Sequence, residues 1–456
     1  MRFAASLLLV VLGCWSAQAQ TQEPAAYAWK AGAASVKITP DKPMWMAGYA
    51  SRTKPSEGVE LDIFAKALAL EDTEGHRLVM LTMDLIGIPQ KLRQVVEEAC
   101  AQKYHVPPEN LVLNASHTHS GPEFRVENSL YLEVMDHDDK ANEEYGRKLA
   151  QQLIAIAGEA VEKLAPARVQ YTHARCGFAM NRRLPTRLGG YANSPYPDGP
   201  VDQNVPVLEV SSPDGKELRA VMFGYACHNT TLALQTINGD YAGYAQRDLE
   251  QAHPGVIALF MNGCSGDQNP YPRGTIELAQ LHGKTLATAV EAALTVVQKK
   301  PVPGPIKAAL ERVPLAFGTP PTKEALEKDV ASTNKWAAAH AKRQLQILAK
   351  EGHLEPSYPY PVQVIHFGNE IGMVTLGGEV VIDYDLRIKK ELGMPVVWMA
   401  GYSNDVMGYI PSLRILKEGG YEGGGAMLFT AHPGPWSDQV EDTIMSTVMK
   451  LQAKLK

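Results

Sequence analysis

Residues 110–120 read NLVLNASHTHS, an apolar run that ends in a polar cluster with two histidines. Short apolar runs bounded by polar residues are typical of buried strands. Alternate side chains of a strand point to the same face of its sheet, so His117 and His119 are expected to look into one space. Two imidazoles placed in this way suit a metal ion and a group that acts beside it.

Further apolar runs along the chain end in small or polar residues, and each predicts another buried strand. These runs cover residues 77–87, 220–230, 255–267, 370–379 and 394–405. Helical patterns begin at Gln90, Asn142, Gly243 and Glu277. Strands that alternate with helices predict an α/β fold, with a mixed α+β arrangement as the alternative. Because ligands bind beyond the carboxyl ends of strands in such sheets, the polar clusters mark the predicted binding crevice.

The composition is that of a globular protein with a large core, since 45% of the 456 residues are hydrophobic and 21% are charged. The net charge is −6 and there is no long run of lysine or arginine, so nucleic acid is not an expected partner. No apolar run after the N-terminal segment is long enough to predict a transmembrane segment. Cys100, Cys176, Cys227 and Cys264 match no zinc-ribbon spacing and are expected to be buried free thiols.

The N-terminal stretch MRFAASLLLVVLGCWSAQAQ has one early arginine, then an apolar run, and ends in small residues around Ala19. This pattern predicts a cleaved secretory signal peptide over residues 1–19. An alternative is a lipid anchor on Cys14 in the stretch VLGC, but Leu12 and Trp15 fit such a site poorly. The favoured prediction is therefore a secreted or periplasmic protein.

Residues 31–456 are predicted to form one domain, within which residues 301–361 are an insertion or a hinge. This segment begins with PVPGP, ends with SYPYP and carries a charged, alanine-rich helical pattern over residues 323–350. The mixture of lysine and glutamate in that pattern predicts a solvent-exposed helix face rather than a binding surface.

Three residues at predicted strand ends could hold a catalytic zinc ion, which typically has about three protein ligands and one position open to water. They are His117, His228 in GYACHNTTL and Glu379 in TLGGEVV, where two glycines would let the backbone approach closely. The alternative for each is an ordinary role. A buried histidine can be satisfied by backbone groups, and Glu379 could cap the helix that starts near Ile382.

These residues also belong to an ordered series of motifs. Five stretches of the chain resemble, in this order, the motifs of the neutral (non-lysosomal) ceramidases. They are NASHTHSGPE, FGYACHNTTL, NGDYAGYAQRDLE, LGGEVVIDYDLRIKKEL and GYSNDVMGYIPS. Members of that family are secreted zinc-dependent amidases that split ceramide into sphingosine and a fatty acid. The resemblance runs from about Gly32 to the final helix. It implies a ceramidase-like catalytic domain with mixed sheets flanked by helices, a Zn²⁺ cofactor, and a small or lipid-like acylated substrate.

The resemblance also implies roles for individual residues. Tyr409 in GYIPS would join His117, His228 and Glu379 as a zinc ligand.

His119 would transfer a proton beside the metal ion, and Tyr421 in GGYEGGG would stabilise the negative oxygen of a tetrahedral intermediate. Arg182 in MNRRLP resembles an arginine of the family's site, with Arg183 as the alternative. The glycine cluster around Tyr421 predicts either a mobile lid or a tight loop.

Two departures from the family's pattern concern the substrate. The family carries a serine in a GD-x-S-P-N motif, whereas this chain reads GDQNPYP and places Asn269 at that position. Since the chain reads to Lys456 with one helix at its end, the immunoglobulin-like C-terminal domain of the ceramidases is not expected here. The favoured prediction is a hydrolase that cleaves an N-acyl amide with metal-activated water. The alternatives are a hydrolase of the same fold that acts on a glycan or a small ester or amide, a TIM-barrel metallohydrolase, and a non-catalytic binding protein.

Overall fold

The structure of the protein is a computed structural model that describes residues 28–125, 130–135 and 140–456. The predicted signal peptide and the alternative anchor at Cys14 lie outside the described residues. Within them, no helix is both long enough and apolar enough to cross a membrane.

The strands are short and are distributed along the whole described chain. They are β1 Trp29–Lys37, β2 Phe64–Glu71, β3 Arg77–Met83, β4 Leu111–Ala115, β5 Ala165–Arg175, β6 Ala179–Pro185, β7 Tyr191–Tyr196, β8 Asn204–Ser211, β9 Leu218–Tyr225, β10 Ile257–Asn262, β11 Gln268–Pro270, β12 Lys300–Pro301, β13 Ile306–Ala316, β14 Ser357–Phe367, β15 Ile371–Leu376, β16 Glu379–Val380, β17 Val396–Ala400 and β18 Tyr409–Ile410.

Helices alternate with these strands. They are α1 Gln90–Tyr104, α2 Tyr131–Val134, α3 Lys140–Glu162, α4 Asp240–Ala252, α5 Ile276–Leu294, α6 Lys323–Asp329, α7 Lys335–Glu351, α8 Ile382–Glu391, α9 Leu413–Glu418 and α10 Val440–Leu455, with 3-10 turns at Pro108–Asn110 and Gly425–Phe429. Helix α4 begins at Asp240 rather than at the predicted Gly243, because the helical hydrogen bonds already start at the backbone amide of Gly243, which donates to the carbonyl of Gly239.

The largest sheet has the strand order β10-β9-β8-β5-β1-β2-β3-β4, with β12 paired to β5. Its β3/β4 and β9/β10 pairs are parallel, whereas the neighbouring pairs between them are antiparallel. A second sheet has the order β13-β14-β15-β17. These mixed sheets confirm the predicted fold class. The TIM-barrel alternative is wrong, since its barrel would need strands that are all parallel.

The core is arranged in layers because strands of the large sheet are buried on both faces. In β2, Ala65, Ala67 and Ala69 pack into the cluster formed with α1 and α3. The alternate residues Leu68 and Leu70 pack into a second cluster, shared with the four-stranded sheet. Helices α4 and α5 cover the β8–β10 end of the large sheet, while α8 and α10 cover the outer face of the second sheet. Burial on both faces explains the nearly continuous apolar runs in the sequence.

The segment 301–361 contributes to the second sheet. It contains β13 and the first part of β14, which pair in an antiparallel register from Ile306↔Phe367 to Ala316↔Ser357. The predicted helical pattern becomes α6 and α7. Most of α7 is not buried, as predicted, but Trp336 at its start is 8% exposed. Movement of this segment as a hinge stays a prediction. The four cysteines of the described residues are buried free thiols, as expected.

Candidate metal centre

His117 follows β4 and is fixed by the loop that follows the neighbouring parallel strand β3. Its ring Nδ1 donates to the carbonyl of Ile86 over 2.6 Å, and its backbone amide donates to the carbonyl of Leu85 over 2.9 Å. The residue has a φ of 65°, a conformation that costs a non-glycine residue free energy. The two hydrogen bonds hold it there and leave Nε2 as the ring atom that faces the site.

His228 is held in the same way at the other end of the sheet. It follows β9, and its Nδ1 donates over 2.6 Å to the carbonyl of Ser265, which follows the neighbouring parallel strand β10. Since a carbonyl oxygen can only accept, the Nδ1 atom carries the proton and the Nε2 lone pair faces the site. The carboxyl ends of two separate parallel strand pairs thus each present one histidine.

The two histidines meet because the edge strands β4 and β10 of the large sheet approach each other. The backbone amide of Asn262 donates to Asn114 Oδ1 over 2.8 Å, and Asn262 Nδ2 donates to the carbonyl of Ser116 over 3.0 Å. Thr118 and Asn229 form a further parallel bridge. Polar side chains therefore join the two edges next to His117 and His228.

Glu379 and Tyr409 complete the cluster from the other side. They are opposite each other in the two-residue parallel pair of β16 and β18. Glu379 Oε2 lies 3.1 Å from Nε2 of His117 and 3.1 Å from Nε2 of His228. The Tyr409 hydroxyl lies 3.2 Å from His228 Nε2. A Cβ atom on Gly378, whose φ is 74°, would lie 2.7 Å from the carbonyl oxygen of Gly408, so only glycine allows this close approach.

The donor set of this cluster fits a zinc ion. Burial is the main cause that lowers the pKa of His228 to about 3, so its imidazole is neutral. Burial opposes ionisation of Glu379, yet His117 and His228 hold the pKa of that carboxyl well below 4.5. Because both Nδ1 atoms donate to backbone carbonyls, the Nε2 atoms of His117 and His228 converge on a carboxylate oxygen of Glu379 at hydrogen-bond distances. A cation satisfies such a set of acceptors, and imidazole nitrogen and carboxylate oxygen are ordinary zinc ligands.

His119 lies beside the cluster, with its Nε2 3.1 Å from His117 Nε2. The ligand atoms that His117, His119 and His228 offer all lie within 4.8 Å of one another, so His119 is a further candidate ligand. Burial and the neighbouring His117 keep the pKa of His119 well below 6.5, so the ring is neutral. Its ring is also next to that of Tyr49, at a centroid distance of 4.8 Å.

The structure distinguishes the two adjacent arginines. Arg182 Nη2 donates to the Tyr409 hydroxyl over 2.9 Å, and its Nε donates to Glu422 Oε1 over 2.8 Å. Arg183 instead contacts the other oxygen of Glu422 over 2.7 Å and Glu418 over 3.1 Å. Of the two candidates, Arg182 is therefore the one that reaches the ligand cluster.

Tyr421 lies at the cavity side of Tyr409, with ring centroids 5.2 Å apart. Its loop is tight in this structure: the amide of Gly425 donates to the carbonyl of Gly420 over 3.0 Å, and Ala426 donates to the carbonyl of Tyr421 over 2.9 Å. Burial and then Glu379 raise the pKa of Tyr421 to about 12, although 40% of the residue is exposed. The phenol therefore keeps its proton and can donate a hydrogen bond.

Asn269 is buried within the same network. Its Oδ1 accepts from Arg182 Nη1 over 3.1 Å and from the Thr230 hydroxyl over 3.2 Å. The side-chain amide of Asn269, the residue that takes the place of the family's serine in the motif, thus supports Arg182.

Sequence reasoning missed two residues of the site. Tyr402 has its ring 4.5 Å from that of His117, and Glu422 pairs with Arg182 and Arg183. Nothing in the pattern around Tyr402 marks it, because aromatic residues after strands usually belong to the core. Glu422 could have been found from its sequence context. It is a single carboxylate among glycines, and the two adjacent arginines of the chain need a negatively charged partner if they are buried.

A cavity of about 180 Å³ opens onto the cluster. Aromatic rings are part of its lining, contributed by Tyr49, Tyr131, Trp336, Tyr421 and Phe429. The lining also includes polar groups, among them Gln90, Arg125 and Asp405. A cavity that combines aromatic rings with converging polar groups can hold a small molecule.

Comparisons with known proteins agree with this geometry. Residues 29–291 match the family described as "Neutral/alkaline non-lysosomal ceramidase, N-terminal". The chain is 27% identical over 250 residues to neutral ceramidase A of Dictyostelium discoideum and 28% identical over 235 residues to a neutral ceramidase of Pseudomonas aeruginosa. These alignments cover 50% and 49% of this chain but 34% of each relative, so the matched part spans about a third of the relatives' length.

Solved structures share the fold. The crystal structure of the neutral ceramidase from Pseudomonas aeruginosa superposes with a TM-score of 0.73 at 20% identity, covering 94% of this chain and 74% of that one. A ceramidase complexed with C2 superposes with a TM-score of 0.74 at 19% identity, covering 94% and 75%. The family match extends over more than half of the chain, and the shared fold covers nearly all of it. The chain belongs to the neutral/alkaline non-lysosomal ceramidase family.

Proposed function

We propose that this protein is a zinc-dependent hydrolase that cleaves an N-acyl amide bond. The observation that carries the proposal is the meeting of His117 Nε2, His228 Nε2, a Glu379 oxygen and the Tyr409 hydroxyl within about hydrogen-bond distance. They come from four separate segments, and His117, Glu379 and Tyr409 line a cavity large enough for part of a substrate. The predicted signal peptide supports a secreted or periplasmic location as part of the same proposal.

The protein's own residues have distinct tasks in this reaction. When zinc is held by His117, His228, Glu379 and Tyr409, it lowers the pKa of water and polarises a carbonyl. His119 accepts the proton of the attacking water and then delivers it to the leaving amine. Tyr421 donates a hydrogen bond to the carbonyl oxygen as negative charge develops there. Arg182 positions Tyr409 through its hydrogen bond to the phenol.

The amide is favoured as the substrate because the curated relatives are neutral ceramidases and one solved relative is complexed with C2. A second candidate is a hydrolase of the same fold that acts on a glycan or on a small ester or amide. It is favoured by Asn269, whose side chain is engaged by Arg182 and Thr230 and supplies no hydroxyl to a substrate.

Zinc content and activity of two variants test the proposal. His117→Ala removes a ligand, so zinc affinity should fall at least about 100-fold and hydrolysis should be lost with it. His119→Ala should retain zinc and lose about 10²- to 10⁴-fold in kcat, because only proton transfer is impaired. Zinc is measured by mass spectrometry after dialysis. Retention of zinc by His117→Ala would contradict the proposed ligand set.

The matched control is His253→Ala. This histidine pairs with Glu291 over 2.8 Å on the surface and does not line the cavity, so zinc content and rate should be unchanged. The substrate is tested on a panel of N-acyl lipids, acylated sugars and small esters. Turnover of sugars or esters alone would select the second candidate, and bound zinc without turnover of any compound would select a binding protein.

A further inference from the structure

A charged pair beside the ligand cluster has no task in the proposed reaction. Arg125 lines the cavity together with His117 and Glu379, whereas its partner Glu123 is not part of the lining. The Glu123 side chain is completely buried, while 25% of the Arg125 side chain is exposed. The guanidinium group of Arg125 therefore lies between a buried carboxylate and the cavity.

Glu123 fixes the orientation of this guanidinium group. Its Oε1 accepts from Arg125 Nε over 2.9 Å, and its Oε2 accepts from Arg125 Nη2 over 2.7 Å. The backbone amide of Arg125 donates to the same Oε1 over 2.9 Å, and that of Glu123 donates to the carbonyl of Trp45 over 2.7 Å. Because the side chain is already ordered, a ligand that binds to it loses little affinity to the ordering of the arginine.

One edge of the guanidinium group is open. Arginine has five N–H donors, and Arg125 uses one at Nε and one at Nη2 for Glu123. Among the described residues, its Nη1 has no hydrogen-bond partner, and Nη2 keeps a second N–H. Nη1 and Nη2 thus form a second planar fork, which is the geometry that binds both oxygens of a carboxylate. Burial opposes the charge, but Glu123 and then Glu379 raise the pKa of Arg125, so the guanidinium group stays positive.

The N-terminus of α1 adds to the positive potential of the cavity. Pro89 and Gln90, at the start of this 15-residue helix, both belong to the lining. Within the part of the chain that the structure describes, no side chain caps α1 and its first turn has no acidic residue. The positive end of the helix dipole therefore favours a negative group in the space that Arg125 lines.

Two carboxyl groups of the lining oppose the binding of an anion. Glu379 belongs to the ligand cluster, where a metal ion would compensate its charge. Burial raises the pKa of Asp405 to about 7, although the hydrogen bond from Tyr358 opposes the shift, so Asp405 is mostly uncharged at about pH 6. A carboxylate has one negative charge and matches a single fork whose charge is shared with Glu123, whereas a phosphate group carries nearly two.

We propose that Arg125 is a specificity-determining residue that selects amides carrying a carboxylate. Its open fork, formed by Nη1 and Nη2, is the carboxylate subsite, and Glu123 holds this fork in place. The inference rests on the proposed function, because it names the substrate class of the same cavity. That class is an anionic N-acyl amide, such as an N-acyl amino acid or the monoamide of a dicarboxylic acid, rather than a neutral lipid.

Binding of small amides tests the carboxylate subsite. The N-acetyl derivatives of glycine, β-alanine and γ-aminobutyric acid carry the carboxylate on the amine side, and the monomethylamides of succinic and glutaric acid carry it on the acyl side. Each is compared with a neutral counterpart in which a carboxamide replaces the carboxylate. Calorimetry of the zinc-loaded protein at about pH 6 should show at least one anionic probe bound about 10- to 100-fold more tightly than its counterpart.

Variants of the charged pair show whether this preference depends on the fork. Arg125→Lys keeps a charge beside Glu123 but removes the fork, so the preference should fall at least about tenfold while the neutral probe binds as before. Glu123→Gln/Arg125→Gln removes both charges together, leaves neither unpaired, and should bind the two probes alike. Arg187→Lys changes an exposed arginine outside the lining and is the matched control. Mass spectrometry checks that every variant retains its zinc.

Hydrolysis of the same amides separates this inference from the proposed reaction. For the preferred anionic amide, Arg125→Lys should raise KM about tenfold with little change in kcat, because the fork does not contact the reacting bond. If no amide is hydrolysed but the preference depends on Arg125, the proposed function fails and the carboxylate subsite stands. If neutral and anionic amides are bound and hydrolysed equally well, the proposed function stands and the subsite fails. Equal weakening of both probes by Arg125→Lys would show a structural role and would also overturn the subsite.

Discussion

At the scale of single residues, Glu422 connects the tyrosine loop to the ligand cluster. Its two oxygens pair with Arg182 over 2.8 Å and with Arg183 over 2.7 Å, and all three side chains are no more than 4% exposed. The adjacent Tyr421 faces the cavity. One buried carboxylate thus holds two guanidinium groups and the loop that carries a proposed oxyanion donor.

Glu422→Gln should destabilise the protein by about 3 kcal/mol, because it leaves buried Arg182 without its counter-charge and leaves Arg183 paired with Glu418 alone. The kcat should fall more than KM changes, since Arg182 and Tyr421 lose their common support. The free energy of unfolding is measured with urea, and kinetics with the best amide of the panel.

Glu217→Gln is the control for this variant. Glu217 is 70% exposed and pairs with Arg219 at 3.6 Å, so its loss should change stability by less than about 0.5 kcal/mol. Equal stability of the two variants would show that the buried ion pairs contribute nothing to folding.

At the scale of elements, the packing of α4 against α5 supports the loop that carries His228. The Tyr241 hydroxyl of α4 donates to the carbonyl of Cys227, and Gly283 of α5 lets the two helices approach. A Cβ atom at Gly283 would lie 2.5 Å from the Cβ of Tyr244 and 2.9 Å from the carbonyl oxygen of Tyr241. Neither atom is the free end of a flexible side chain, so one of the helices would have to move.

Gly283→Ala should therefore cost about 1–3 kcal/mol of stability through overpacking, despite the better helix propensity of alanine. Gly146→Ala in α3 is the matched control. There the nearest atoms to a new Cβ are 3.9 and 4.0 Å away, so the variant should gain about 0.5–1 kcal/mol. Urea unfolding checks both variants, and a stabilised Gly283→Ala protein would contradict the packing argument.

At the scale of the whole molecule, buried carboxyl groups make the free energy of unfolding depend on pH. Asp405 accepts a hydrogen bond from the Tyr358 hydroxyl over 2.7 Å. Burial raises the pKa of Asp405 from 3.8 to about 7, although Tyr358 opposes the shift. The folded protein therefore holds this proton more tightly than the unfolded chain does. The tighter binding of this proton adds to the free energy of unfolding. The added stability is fully present below pH 3.8 and is lost as the pH rises to about 7.

Asp405→Asn should abolish this loss of stability at higher pH, because asparagine stays neutral over the whole range. The stability of the variant relative to wild type should increase with pH by up to about 1.4 kcal/mol per unit between about pH 4 and 7, and then level off. Urea unfolding over that range measures the difference, with exposed Asp438→Asn as the control for the loss of one charge. A difference that stays constant would mean that Asp405 ionises as easily when folded.

The sequence by itself determined the alternation of strands and helices and the mixed α/β fold. Buried strands can be recognised from the sequence, because each apolar run ends where the chain leaves the core. For the same reason, the positions of His117, His228 and Glu379 at strand ends could be predicted from their own neighbourhoods. Tyr409 was reached through family resemblance alone.

The tertiary structure alone decided which side chains meet. Arg182 rather than Arg183 reaches the cluster, and Glu422 pairs with both arginines. Trp336 belongs to the helix for which an exposed face is predicted, yet it is buried and lines the cavity. These contacts join segments that are far apart along the chain, and the free energy of such contacts depends on packing and charge compensation in three dimensions. A local pattern records whether a residue is buried, but it does not record the partner against which the residue is buried.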